Sequence, residues 1–108
     1  MTDMVEAADA IARFLADLER EQFLDDELRQ SAVLQKLIVI GEAASRLTPE
    51  FQRQHPEVEW RKAAALRNIA VHEYFSVSWD IIWTTATQNI PHLRTQALAV
   101  LASLDQDE

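Results

Sequence analysis

The run DDELRQSAVLQKLIVIGEAASRL, from Asp25 to Leu47, decides the fold. Leu28, Ala32, Leu34, Leu37, Ile38, Gly41, Ala44 and Leu47 recur largely at intervals of three and four, the period of one helix face, and Asp25 and Asp26 ahead of them are good N-caps. The spacing predicts a long helix ending near Leu47. Gly41 stands inside it where Ala would be favoured by roughly 1 kcal/mol. A cost of that size suggests that a neighbouring helix comes close there.

Outward from this run the same period continues. Val5, Ala8, Ile11, Ala12, Phe14, Leu15 and Leu18 predict a first helix, entered from a Thr2 or Asp3 cap and ending in the charged residues Glu19 to Glu21. Phe23 and Leu24 read as a short connection. After the long helix, Thr48-Pro49-Glu50-Phe51 reads as a cap with Pro at the first helical position, and His55-Pro56 reverses the chain. A third helix is expected to begin near Val58 to Trp60 and run through Ala63, Ala64, Leu66, Arg67, Ile69 and Ala70 towards His72, ending in Tyr74 to Val77. Ser78 then caps a helix with Trp79, Ile82, Trp83, Ala86, Ile90, Leu93, Leu98 and Leu101 on its apolar face, which Pro91 should kink or split. The tail Asp105 to Glu108 is expected to fray. With one Gly and three Pro in 108 residues, the chain lacks the frequent turn signals of a sheet protein. The expected class is all-α, an antiparallel bundle of four to five helices forming one domain over residues 1–108.

Charge and composition narrow the function. There is no cysteine, which removes disulfides, thiolate metal sites and a cysteine nucleophile. No apolar run approaches a membrane span, and Met1-Thr2-Asp3 does not open a signal peptide, so a cytoplasmic protein is expected. The net charge of -8 argues against indiscriminate nucleic-acid binding. Its distribution softens that objection. Residues 1–43 carry 4 basic and 10 acidic side chains, residues 44–72 carry 5 and 3, and residues 73–108 carry 1 and 5. The positive third holds Arg46, Arg53, Arg61, Lys62 and Arg67, which could line a local cleft.

That third also holds the stretch richest in chemistry, Arg67-Asn68-Ile69-Ala70-Val71-His72-Glu73-Tyr74. Arg offers a planar, permanently charged donor set that suits phosphate oxygens, and His exchanges protons near neutrality. Residues five apart on a straight helix differ by about 140°, so Arg67 and His72 would not share a face of a regular helix. Either the helix stops before His72, or a two-fold dimer brings the stretch against its copy. The chemistry these residues suit is RNA cleavage without metal. His moves the protons of the 2'-hydroxyl and the leaving 5'-oxygen, Arg stabilises phosphoryl charge, and Asn68 supports. Glu42, beside Gly41, could orient Arg67 by a salt bridge. His55, His72 and His92 lie on separate segments with no metal-ligand spacing, and His55 and His92 read as turn and surface residues. Trp79 and Trp83, four apart, read as core packing rather than as a base-stacking platform.

Taken in order, Ile40-Gly41-Glu42-Ala43-Ala44, Leu47-Thr48-Pro49-Glu50, His55-Pro56-Glu57-Val58-Glu59-Trp60, Leu66 to Tyr74, Trp79-Asp80-Ile81-Ile82-Trp83 and Ile90-Pro91 make the chain resemble the HepT family. These are the toxins of type VII HepT/MntA toxin–antitoxin systems, within the HEPN superfamily. The resemblance implies a helical HEPN fold, a homodimer with a composite interface site, and metal-independent ribonuclease activity on cellular RNA, with no cofactor for cleavage. The family signature, Arg, four residues, His, one residue, Tyr, is filled by Arg67, His72 and Tyr74. It further implies an MntA-like nucleotidyltransferase antitoxin that uses ATP and Mg2+ to attach AMP to Tyr74. The alternative expectation is a non-catalytic HEPN module that binds a nucleotide or substrate and partners such a transferase. A dimer would double the net charge to about -16, leaving RNA binding to a local positive cleft.

Overall fold

The computed structural model describes residues 1–69 and 78–106, the side chains of 105 and 106 excepted, and all of the regular structure among them is helical. His72 and Tyr74, and the predicted end of the third segment, lie outside the described residues.

Helix α1, Thr2–Leu15, buries Met4, Ala7, Ala8, Ala10, Ile11 and Leu15, a stripe at helical spacing. The predicted Thr2 or Asp3 cap gives way to Met1, because the backbone N–H groups of Met4 and Val5 both reach the Met1 carbonyl, at 3.1 and 3.3 Å. Thr2 and Asp3 are therefore already inside the first turn. Asp3 there still complements the positive helix end.

The predicted connection around Phe23 is a short helix, α2, Arg20–Leu24. Its start is a reciprocal capping box between Glu19 and Gln22, in which Glu19 N–H donates to Gln22 Oε1 at 2.8 Å. Phe23 is wholly buried, and its ring meets Trp83 at 5.4 Å and Trp79 edge-on at 6.2 Å between centroids. The two tryptophans are thus packing residues, in keeping with their spacing. An ion pair between Arg20 and Asp80 closes the rim of this contact.

Helix α3, Glu27–Ser45, is the central element, packed against α1 on one side and the segment after Trp60 on the other. Asp26 caps it, accepting from Arg29 N–H at 3.0 Å. Its buried stripe is Gln30, Val33, Leu34, Leu37, Ile40, Gly41 and Ala44. Leu28, expected in that stripe, is 72% exposed. It lies about 200° around the helix from Gln30 and so points away from the core. Gln30 is a buried polar side chain with a clear task. Its Nε2 donates to the carbonyls of Phe23 and Leu24, both at 3.0 Å, satisfying the orphan end of α2.

Thr48 caps α4, Pro49–Gln54, by accepting from Phe51 N–H at 3.1 Å, with Pro49 in the first turn as predicted. The His55-Pro56 reversal is pinned by Trp60, whose Nε1 donates to the His55 carbonyl at 2.9 Å. Helix α5, Trp60–Ala65, then tightens into a 3-10 turn, Leu66–Asn68.

After Ser78, which occupies the cap position without a side-chain bond, α6 spans Trp79–Thr84. A π-helical turn, Thr85–Asn89, leads into α7, Ile90–Gln106. The helical run thus continues through Pro91, but a π turn just ahead of it divides the run in two. In regular α geometry the proline ring would strike the Thr87 carbonyl, and the wider turn that ends just before it relieves that clash. Ile82, Ala86, Ile90, Ala97 and Val100 face the core, whereas Leu98, expected there, is 40% exposed. Helix also persists through Gln106, past the expected start of fraying at Asp105. Asp9 on α1 and Arg94 on α7 pair at 2.5 Å, tying the first helix to the last. None of the described helices is long and apolar enough to cross a membrane.

Candidate active site

The backbone of the 3-10 turn rests directly on α3, and Gly41 is what admits it. A methyl group added at Gly41 would fall on the Arg67 backbone nitrogen, 3.0 Å from its Cα and 3.1 Å from its Cβ. This is the close approach that a glycine inside a strong helix implies. Any larger residue would push the Arg67 turn off α3.

Ser45, one helical turn beyond Gly41, faces the same way. Its hydroxyl donates to the Glu42 carbonyl at 2.8 Å and accepts from Arg67 Nη1 at 3.1 Å. A serine hydroxyl has one proton to give and lone pairs to receive, so both bonds fit at once. The guanidinium is held at a defined place on an exposed turn by one of its five N–H donors. Glu42, expected to orient Arg67 by a salt bridge, contributes instead through its backbone carbonyl. Its side chain lies about 100° round the helix from Gly41 and lines a surface groove with Asp3, Gln35 and Arg46.

Asn68 is exposed on the same turn as Arg67. His72 and Tyr74 follow it in sequence and are not among the described residues. The change from α to 3-10 winding at Leu66 means that the face relation calculated for a straight helix does not apply across Arg67. His55 and His92 are elsewhere. The His55 ring packs on Phe51 at 4.7 Å, with Nδ1 at 3.8 Å from Glu57, and His92 is exposed on α7. Among the described residues no cluster of His, Asp and Glu could hold a metal ion.

Of the basic residues expected to line a cleft, Arg46, Arg53 and Arg61 are exposed. Lys62 is engaged with Glu59 at 2.8 Å, and that hydrogen bond holds the Glu59 carboxyl below its ordinary pKa while raising that of the lysine. Arg46, next to Ser45 in sequence, lies about 100° round the helix from it and lines the groove with Glu42 instead. Ser45, which holds the Arg67 guanidinium, is the contact that motif reading misses, although its position four residues after Gly41 puts it on the face that Gly41 opens.

A family model described as "Ribonuclease HepT-like" matches residues 4–100. The chain is 37% identical over 94 residues to "Probable ribonuclease HepT" of Thermococcus cleftensis, covering 87% of this chain and 86% of that protein. It is 38% identical over 81 residues to "Putative RNase TTE0752" of Caldanaerobacter subterraneus, covering 75% and 72%. It is 36% identical over 90 residues to "Putative RNase MJ0127" of Methanocaldococcus jannaschii, covering 83% and 74%. No solved structure matches. With a core built around α3, an arginine turn seated on Gly41 and a family match across nearly the whole length, this chain belongs to the HepT-like ribonuclease family.

Proposed function

We propose that the protein is the toxin of a toxin–antitoxin pair, a metal-independent endoribonuclease acting on cellular tRNA or mRNA in the cytoplasm. The observation that carries this reading is Arg67, held by Ser45 on an exposed turn that Gly41 seats against α3. A guanidinium fixed in this way stabilises charge on a phosphoryl group without reorganising at the moment of reaction. In the homodimer, His72 of one protomer takes the 2'-hydroxyl proton and His72 of the other protonates the leaving 5'-oxygen, giving a 2',3'-cyclic phosphate and a 5'-hydroxyl. Asn68 supports the phosphate or the imidazole.

Silencing follows from the same chemistry. An MntA-like nucleotidyltransferase, using ATP and Mg2+, attaches AMP to Tyr74, two residues from His72. The added negative charge repels an RNA phosphate and competes for Arg67.

The test is cleavage of total RNA by the parent, Arg67→Ala and His72→Ala, with helicity checked by circular dichroism. Each variant should lose about 10²-fold or more in rate while keeping its fold. Parental rates in both variants would overturn the site assignment, whereas no RNA cleavage by the parent itself would favour the non-catalytic, nucleotide- or substrate-binding module. Incubation with the partner transferase and ATP should label the parent with AMP, and a label retained by Tyr74→Phe would remove Tyr74 from the scheme.

A further inference from the structure

A groove of about 360 Å³ runs between α5 and the last helix, and Leu66, the residue before Arg67, lines it. Its floor is apolar, made by Ala63, Leu66, Ile90 and Leu93. Its edges are hydrogen-bonding groups, with Thr85 and Asn89 of the π turn at one end and Gln96 at the other. Gln96 Nε2 is committed to the Glu57 carbonyl at 2.8 Å, which closes that end and leaves the amide oxygen as an acceptor. His92 and the Lys62–Glu59 pair stand at the mouth.

This composition disfavours a phosphate and suits a planar heterocycle. The single lysine, Lys62, is already engaged by the Glu59 carboxylate at 2.8 Å, so an anion gains little there. An apolar floor with a few fixed polar groups is the usual construction of a small-ligand pocket, and the volume lies in that range. Single-stranded RNA is read in this way, by bases splayed from the strand, laid on side chains and hydrogen-bonded at their edges. Leu66, which lines the groove, immediately precedes Arg67, so the groove begins within about 3.8 Å of chain from the phosphate-holding turn.

We infer that this groove is a nucleobase subsite: it takes one purine of the RNA strand whose phosphate Arg67 engages, and thereby sets where the strand is cut. A two-ring base covers the floor that a pyrimidine would leave wet. The acceptor-only Glu59 carboxylate at the mouth and the Gln96 amide oxygen favour the amino edge of that base. The inference deepens the ribonuclease reading and rests on it.

The experiment measures binding and cleavage separately. Fluorescent tetranucleotides, alike except for one purine or pyrimidine, are titrated against His72→Ala protein with and without Asn89→Ala or Leu93→Ala, and AMP alone is titrated in parallel. The purine oligonucleotide should bind about tenfold more tightly than the pyrimidine one, within the range that good base contacts provide. Either groove variant should shrink that ratio to about twofold, and in protein that retains His72 the same variants should flatten the base preference of cleavage. An unchanged ratio in both variants, or no preference in the parent, overturns the subsite. AMP binding as tight as the oligonucleotide would make it a free-nucleotide site and overturn the strand assignment. If purine-selective binding is lost in the groove variants but the parent cleaves no RNA, the subsite stands and the ribonuclease reading fails.

Discussion

The two ends of α3 are built for opposite tasks. At its N-terminal end the polar and aromatic groups are turned inward and used: Gln30 is buried and satisfies the carbonyls of α2, while Phe23 is sealed against Trp79 and Trp83. At its C-terminal end a glycine replaces a side chain so that a charged turn can rest on the helix, and a serine hydroxyl holds the exposed arginine. One end supplies stability. The other gives up packing and helix propensity to fix a cation at the surface, which is the pattern expected where local sequence preference and function disagree.

The comparison breaks first at Phe23. Truncating Phe23→Ala removes a fully buried ring from the aromatic cluster and should cost about 3–5 kcal/mol. For a domain of this size that lowers the melting temperature by more than about 12 °C. Because the cluster lies at the other end of α3, RNA cleavage per folded molecule should stay at the parental rate when measured well below the transition. Loss of activity in proportion to Arg67→Ala would mean that the two ends are coupled.

A smaller and opposite effect is expected at Gly41→Ala. Helix propensity alone would favour the change by roughly 1 kcal/mol. The new methyl group would land on the Arg67 backbone, which has no flexible end to move aside, and overpacking of that kind costs about 1–3 kcal/mol. The net change in stability is therefore small, and the turn shifts instead. Cleavage should fall by about tenfold or more while the melting temperature falls by no more than about 8 °C. Parental activity in this variant would show that the seat on α3 is not what positions Arg67.

How much of this is legible in the sequence depends on whether the signal is local. The Asp26 and Thr48 caps, the Gly41 approach and most of the α3 stripe follow from a few neighbouring residues and are present, whereas in α1 the predicted Ala12 is exposed and the helix ends at Leu15, ahead of Glu19 to Glu21. Helix α2 escapes because its capping box uses Glu19 in place of the usual Ser or Thr, and Phe23 alone gives no period. Leu28 and Leu98 fall on the wrong side because an apolar residue one or two positions off a stripe is indistinguishable by type, and only the rotation around the helix excludes it. Pro91 is legible as an obstacle, but the type alone does not say whether the helix answers it with a kink, a break or the π turn it adopts. At the site, Arg67 is visible through its residue type. Its holder is not, since a serine facing across to another segment looks like any polar helix residue.

Ser45→Ala isolates that holder and is the smallest expected effect. The hydroxyl is partly exposed and its bond to Arg67 lies at the surface, so water replaces much of what is lost, and stability should change by less than about 1 kcal/mol. What the substitution removes is a restraint. Arg67 keeps its charge and its place on the turn, but the guanidinium regains rotamer freedom that must be lost again when phosphate binds. Cleavage should therefore fall severalfold, well short of Arg67→Ala, and Ser45→Thr, which keeps the hydroxyl, should recover most of it. Equal rates in the parent, Ser45→Ala and Ser45→Thr would leave Gly41 as the sole support of the arginine and reduce the C-terminal end of α3 to a steric seat.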